Sequence, residues 1–97
     1  MIFLYETNHI YLNDSNDNMI AEVTFPAINS NLVNINHTFV DASLRGQGVA
    51  GKLMKAVVDQ LRAEGKKAYC SCSYAIQWAA KHPECNDVLT TQISTGQ

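Results

Sequence analysis

The stretch RGQGVAGKL, residues 45–53, satisfies three phosphate-binding spacings at once. Gly46, Gly48 and Gly51 spell G-x-G-x-x-G. Gly46 to Lys52 spell G-x-x-x-x-G-K. Arg45, Gly48 and Ala50 spell R-x-x-G-x-A. The three spacings share their physics: a helix N-terminus offers unpaired backbone N–H groups and the positive end of the helix dipole, and glycines let a bulky anion approach without Cβ clashes. The plainer reading is that the glycines only shape a tight turn. The surrounding sequence separates these possibilities.

Val49, Leu53, Ala56, Val57 and Leu61 recur at helical spacing, while Lys52, Lys55, Asp59 and Arg62 fall on other faces. Gly65 stands where a helix C′ residue belongs. The spacing predicts a helix over 48–64 with the glycines at its start. Upstream, NLVNINHTFV (31–40) reads as one strand, with Val33, Ile35, His37 and Phe39 on one face and Asn34, Asn36, Thr38 and Val40 on the other. Downstream, KAYCSCS (67–73) is a short strand and YAIQWAAKH (74–82) a second helix halted by Pro83. The turn formers NDSNDN (13–18) join residues 8–13 to 19–25 as a hairpin, which Pro26 ends. Beyond Asp87 a last short strand is expected, and then fraying. The order is β-β-β-α-β-α, in one domain over residues 1–97.

The composition sets outer bounds. The 97 residues are 46% hydrophobic and 16% charged, with net charge −2. That balance argues against a dedicated nucleic-acid binder. No apolar run approaches the roughly 18 residues of a membrane span. The opening MIFLYETNHI lacks the basic n-region and cleavage site of a signal peptide, so a cytoplasmic location is expected. The three cysteines then read as reduced thiols. Cys70, Cys72, His82 and Cys85 could form a zinc set, but a strand's C-x-C is not the usual C-x₂₋₄-C knuckle, so no metal is expected.

Two of the three phosphate patterns fail on context. A dinucleotide unit places an Asp or Glu about 20 residues past its glycines; here the next strand delivers CSCS. A G-x-x-x-x-G-K loop needs Ser or Thr next to hold Mg²⁺, and that position is Leu53. R-x-x-G-x-A loses nothing. Arg45 precedes the turn, Gln47 to Gly51 can present N–H groups to a pyrophosphate, and Lys52 and Lys55 can meet further phosphate charge.

With INHTFVDASLRGQGVAGKLMKAVVDQLRAEG followed by CSCSYA and HPE, the chain resembles the GCN5-related N-acetyltransferase (GNAT) superfamily, in particular its short single-domain members. The resemblance covers residues 19–89 and is strongest from Ile35 to Tyr74. It implies an α/β (α+β) fold with a mixed, mostly antiparallel sheet flanked by helices, and acetyl transfer from acetyl-CoA to an amine. The pantetheine arm would pair with the backbone of Phe39, Val40 and Asp41. The pyrophosphate would lie on Arg45, Gly46, Gln47, Gly48, Val49, Ala50, Gly51 and Lys52. A backbone N–H near Val40 would stabilise the oxyanion.

Short members of this kind carry a His-Thr pair on the first strand and a Cys on the second, which matches His37, Thr38 and Cys72. His37 would be a base, or else a hydrogen-bonded core histidine. Cys72 would be an acid, a base or a transient acyl acceptor, or else a small buried hydrophobe. Tyr74 would line the cofactor cleft, although Ser73 stands where many relatives carry Pro. A non-catalytic CoA-binding or interaction module on the same scaffold is the rival. The acceptor remains open, with a protein or peptide amine suited to an open cleft. Oligomeric state is open too, with a monomer favoured.

Overall fold

The computed structural model describes residues 1–91. The first predicted hairpin forms between β2 (His9–Asn13) and β3 (Met19–Thr24). Asp14 closes its turn: one carboxylate oxygen accepts the N–H groups of Asn16 (2.8 Å) and Asn18 (3.0 Å). Those amides hold the Asp14 carboxyl below its ordinary range. A further strand, β1 (Leu4–Glu6), pairs with the outer edge of β2.

The predicted strand over 31–40 is two strands. β5 (Leu32–Ile35) and β6 (His37–Val40) belong to different sheets, and the chain passes between them at Asn36. β5 pairs antiparallel with β4 (Ala27–Asn29) and parallel with β7 (Lys67–Cys70), whereas β6 pairs antiparallel with β3. The Ile35 carbonyl accepts the N–H groups of both Ser71 and Cys72, each at 3.1 Å, while the Asn36 N–H turns back to the Thr24 carbonyl at 3.3 Å. One residue outside the alternation shifts its phase, as a β-bulge does. Val33 and Ile35 are buried, but beyond Asn36 it is Thr38 and Val40 that turn inward, and His37 and Phe39 are exposed. The expectation that His37 shares a face with Val33 and Ile35 is therefore corrected.

Helix α1 (Val49–Glu64) runs between two glycines in left-handed conformation, Gly48 (φ +69°) and Gly65 (φ +70°). Its C-terminus closes with Lys66 N–H on the Leu61 carbonyl (2.9 Å) and Gly65 N–H on that of Arg62 (3.3 Å), the paired bonds of a glycine-ended helix. Val49, Leu53, Met54, Val57, Val58 and Leu61 bury one stripe against Ile10, Leu12, Ala21 and Val23 of the first sheet and Val33, Ile35, Ala68 and Cys70 of the second. Each large side chain so buried contributes about 1.5–3 kcal/mol. Leu53 is fully buried.

The sheets run β1-β2-β3-β6 and β4-β5-β7-β8, with β8 (Leu89–Thr90) parallel to β7. The strand expected over 67–73 ends at Cys70, and helix α2 (Ser73–Lys81) begins after Ser71 and Cys72. The expected last strand is β8; the expected fraying lies outside the described residues. No described helix is long and apolar enough to cross a membrane.

Candidate active site

Beyond Asn36, where the chain leaves β7 to join the first sheet as β6, a gap opens with Thr38 on one side and Cys72 on the other. Thr38 Oγ1 and Cys72 Sγ are 3.5 Å apart. Cys72 sits between the end of β7 and the start of α2, so the backbone N–H groups of Tyr74 and Ala75 also face its sulfur, without closing a full capping bond. Burial opposes the thiolate, but the Thr38 hydroxyl and the amides of Ala75, Tyr74 and Thr38 outweigh it and hold the thiol below its ordinary value. Cys70, two residues earlier, points into the core. Burial, with the neighbouring Cys72, pushes its thiol up to about 11. Cys72 is thus the more acidic of the two.

The edge of β6 that faces this gap is unpaired among the described strands. Asp41 N–H donates to the Ile20 carbonyl (2.8 Å), toward β3. Because amides alternate along an antiparallel strand, the Val40 N–H points the other way, into the gap. The Thr38 N–H, two residues earlier, does the same. Asp41 itself caps the following 3-10 turn, its carboxylate accepting the Ser43 N–H at 2.9 Å, and so its side chain turns away from the gap.

The glycine turn supplies a second set of donors. Val49, Ala50 and Gly51 form the first turn of α1, where N–H groups have no intrahelical acceptor. The Gln47 N–H, expected to join them, instead donates to the Leu44 carbonyl at 3.3 Å. Gly46 (φ +82°) and Gly48 take backbone conformations that side-chain-bearing residues rarely adopt. Gly51 has an ordinary helical conformation but a close neighbour: a Cβ there would stand 3.4 Å from Trp78 Nε1 and 3.7 Å from Tyr74 Oη. Arg45 and Lys52 are exposed beside this turn. Lys55 is paired with Asp59 (2.8 Å). Ser73 opens α2 at a position that tolerates Pro without requiring it. Tyr74 accordingly stays half-buried next to Gly51, its phenol raised by burial.

Trp78 and His82 were not singled out as a pair from the sequence. Their rings stack with centroids 3.7 Å apart at 14°, and His82 Nδ1 lies 2.7 Å from the Trp78 carbonyl. Together with Gly48, Gly51, Lys52, Lys55 and a single carboxylate, Glu84, they border a cleft of about 350 Å³. Their i,i+4 spacing could have revealed the stack, but not its position against Gly51. A larger cleft, about 500 Å³, lies at the other end of α1 among Glu6, Asn8, Phe25, Gln60, Glu64 and Lys66. Its two carboxylates and one ammonium suit a pyrophosphate poorly, and it has no helix N-terminus.

His37 does not join Cys72. It lies on the opposite face of β6, with Nε2 3.3 Å from Glu22 Oε2. Phe39, on the same face, is exposed. Cys70 and Cys85 are buried in the core, and among the described residues no three His, Cys, Asp or Glu side chains converge on a metal position.

Comparison with known proteins supports the same frame. The Staphylococcus aureus solution structure of a GCN5-like protein superposes with a TM-score of 0.79 at 34% identity, covering 99% of this chain and 94% of that one. The ribosomal-protein-S18-alanine N-acetyltransferase of Escherichia coli shares the fold (TM-score 0.61, 18% identity, 81% of this chain and 50% of that one). Protein NATD1 of Homo sapiens is 30% identical over 63 residues, 65% of this chain; the match spans 56% of that relative's length. The profile of the GCN5-related N-acetyl-transferase family matches residues 9–88, and the chain belongs to that family.

Proposed function

We propose that residues 1–97 form one acetyltransferase domain, which moves the acetyl group of acetyl-CoA directly to an amine. The observation that carries this reading is the coincidence, at one end of α1, of three features. These are a helix N-terminus walled by Gly48, Gly51 and Trp78, a β6 edge unpaired among the described strands, and the Thr38–Cys72 pair at the gap.

These groups fit coenzyme A. The amides of Gly48 to Gly51, with Arg45 and Lys52, suit a pyrophosphate. The stacked Trp78 and His82 border the cleft beside it. The β6 edge suits an arm bearing amide groups. When bound, acetyl-CoA supplies an acyl thioester. The Val40 N–H then donates to the thioester oxygen.

The amine enters from the exposed face of β6 that carries His37, opposite Cys72, and His37 accepts through water the proton that an ammonium must lose before its nitrogen can attack. Cys72 donates its proton to the departing sulfur as the carbon–sulfur bond breaks. The acceptor nitrogen sheds two protons in all: one passes through His37 to water, and the other restores the Cys72 thiol. An acyl-cysteine route would want an adjacent base at Cys72. Its neighbour is Thr38 rather than His37.

Incubation with acetyl-CoA and a panel of amines (amino acids, polyamines and lysine-bearing peptides) tests the reading, with free thiol and acetylated amine both measured. A loss of turnover of about a hundredfold or more, with a measurable residual rate, is expected for His37→Ala and for Cys72→Ala. Binding of acetyl-CoA without transfer to any amine would favour the non-catalytic module instead.

A further inference from the structure

The outer face of the first sheet carries a chain of ionisable side chains across all four strands. Its centre is Glu22 on β3, whose side chain is 19% exposed. Glu22 Oε1 is hydrogen-bonded to His9 Nε2 at 2.8 Å, and Oε2 faces His37 Nε2 at 3.3 Å. His9 is fixed further: its ring stacks on Tyr11 (centroids 4.8 Å, 17°), and Nδ1 lies 3.5 Å from Glu6 Oε1. Tyr11 Oη in turn donates to Glu6 Oε2 at 3.3 Å.

The register explains the pattern. His9 and His37 both stand opposite Thr24, one on each side, and Glu22 stands two residues along on the same face, opposite Tyr11 and Phe39. Thr24 turns its hydroxyl to Asn36 Oδ1 (2.6 Å). Both imidazoles therefore reach diagonally to the same carboxylate. Since His9 takes one oxygen, the other is left for His37.

We infer that Glu22 is a positioning residue for His37. It accepts the Nε2 proton, so that Nδ1 carries the free lone pair, and it offsets the positive charge that the ring acquires on taking a proton. His9, held by Tyr11 and Glu6, keeps Glu22 in place. Among the described residues Glu22 is the charged group facing His37; the thiol of Cys72 is on the other face of β6. The inference rests on His37 acting as the base of the transfer proposed above.

Two readouts keep the inference and that reading apart. The first needs no acetyl-CoA: ¹⁵N spectra of the His37 ring in the free protein. Wild type should show Nε2 protonated and Nδ1 bare. In Glu22→Gln, whose amide can donate to Nε2, that asymmetry should be lost. The second is transfer to the amine that wild type turns over fastest among spermidine and a lysine-bearing peptide. Glu22→Gln should lower kcat about tenfold or more, as the loss of one charge-assisted contact does, with acetyl-CoA affinity unchanged. It should cost nothing further in a His37→Ala background. Glu22→Asp should keep part of the rate, and His9→Gln, a milder change, should show the same pattern at smaller size should Glu22→Gln fail to fold. Identical ring spectra in wild type and Glu22→Gln would overturn the inference, as would an equal loss in both backgrounds. A wild type that transfers nothing would overturn the proposed function instead, leaving the ring spectra to decide whether Glu22 holds His37.

Discussion

Thr38 Oγ1 and Cys72 Sγ face each other at 3.5 Å across the gap between β6 and β7, so a hydroxyl from one sheet meets a thiol at the end of the other. Among the groups that lower the Cys72 thiol, the Thr38 hydroxyl is the foremost. Thr38→Val removes it while leaving the burial that opposes the thiolate. The thiol then becomes less acidic, and its alkylation by iodoacetamide shifts to higher pH than in wild type. Cys70, buried and pushed up to about 11, should stay unlabelled in the folded protein. An unchanged pH profile for Cys72 would remove Thr38 from this account.

Gly48 and Gly51 make a contrasting pair. Gly48 has φ +69° with open space where a Cβ would go, so Gly48→Ala is opposed by backbone strain of about 1–2 kcal/mol rather than by a clash. At Gly51 the conformation is helical, and Ala gains up to about 1 kcal/mol of helix propensity. Its methyl group would stand 3.4 Å from Trp78 Nε1, narrowing the cleft. Thermal unfolding should show a loss for Gly48→Ala and little loss or a gain for Gly51→Ala. Titration with acetyl-CoA should show Gly51→Ala weakened despite its stability.

The C-terminal end of α1 is tied to the loop before β8 by a two-pronged ion pair. Arg62 Nε and a terminal guanidinium nitrogen each donate to Asp87 at 2.8 Å. The hydrogen bonds from Arg62 hold the Asp87 carboxyl below its ordinary range. A carboxyl depressed in the folded state contributes stability above its unfolded value, near 3.9, and loses it as pH falls through the folded one. Urea midpoints measured from pH 7 down to pH 2 should therefore fall less steeply at the acid end for Asp87→Asn than for wild type. Parallel curves would show that the pair adds nothing to stability. Both side chains are largely exposed, so the difference should be small.

Leu53 occupies the place of the metal-holding hydroxyl in the rejected phosphate pattern, and it is fully buried. Leu53→Ser completes that pattern on paper. In the protein it deletes core methyl groups and buries a hydroxyl, which should cost about 2–5 kcal/mol. Denaturant unfolding measures this, and the variant should gain no affinity for Mg-ATP. A stable variant that binds Mg-ATP would reinstate the rejected pattern.

Helix α1 was legible because its apolar spacing and both terminal glycines agree with one another. The β7–α2 unit was legible for a similar reason: a short apolar run, then a helical stretch, then Pro83. The break at Asn36 was not. Nothing in NLVNINHTFV distinguishes one strand from two, because alternation continues unbroken in the letters while Asn36 leaves the pairing. Only the partners, β7 for one half and β3 for the other, reveal it. The phase shift at Asn36 is why His37 leaves the face of Val33 and Ile35, and why its approach to Glu22 is hidden in the letters. Glu22 meets His9 and His37 through register between strands that are distant in sequence. Cys72 was legible as a candidate, but the reason it is more acidic than Cys70 lies in Thr38 and the start of α2, which only folding brings to it.

Calorimetric titration with acetyl-CoA, with Mg-ATP and NAD⁺ as controls, tests the central claim most directly. The account predicts saturable binding of acetyl-CoA alone, weakened about tenfold or more by Arg45→Ala through loss of a charge-assisted phosphate contact. Binding of Mg-ATP or NAD⁺ in its place, or no heat from any of the three, would contradict it.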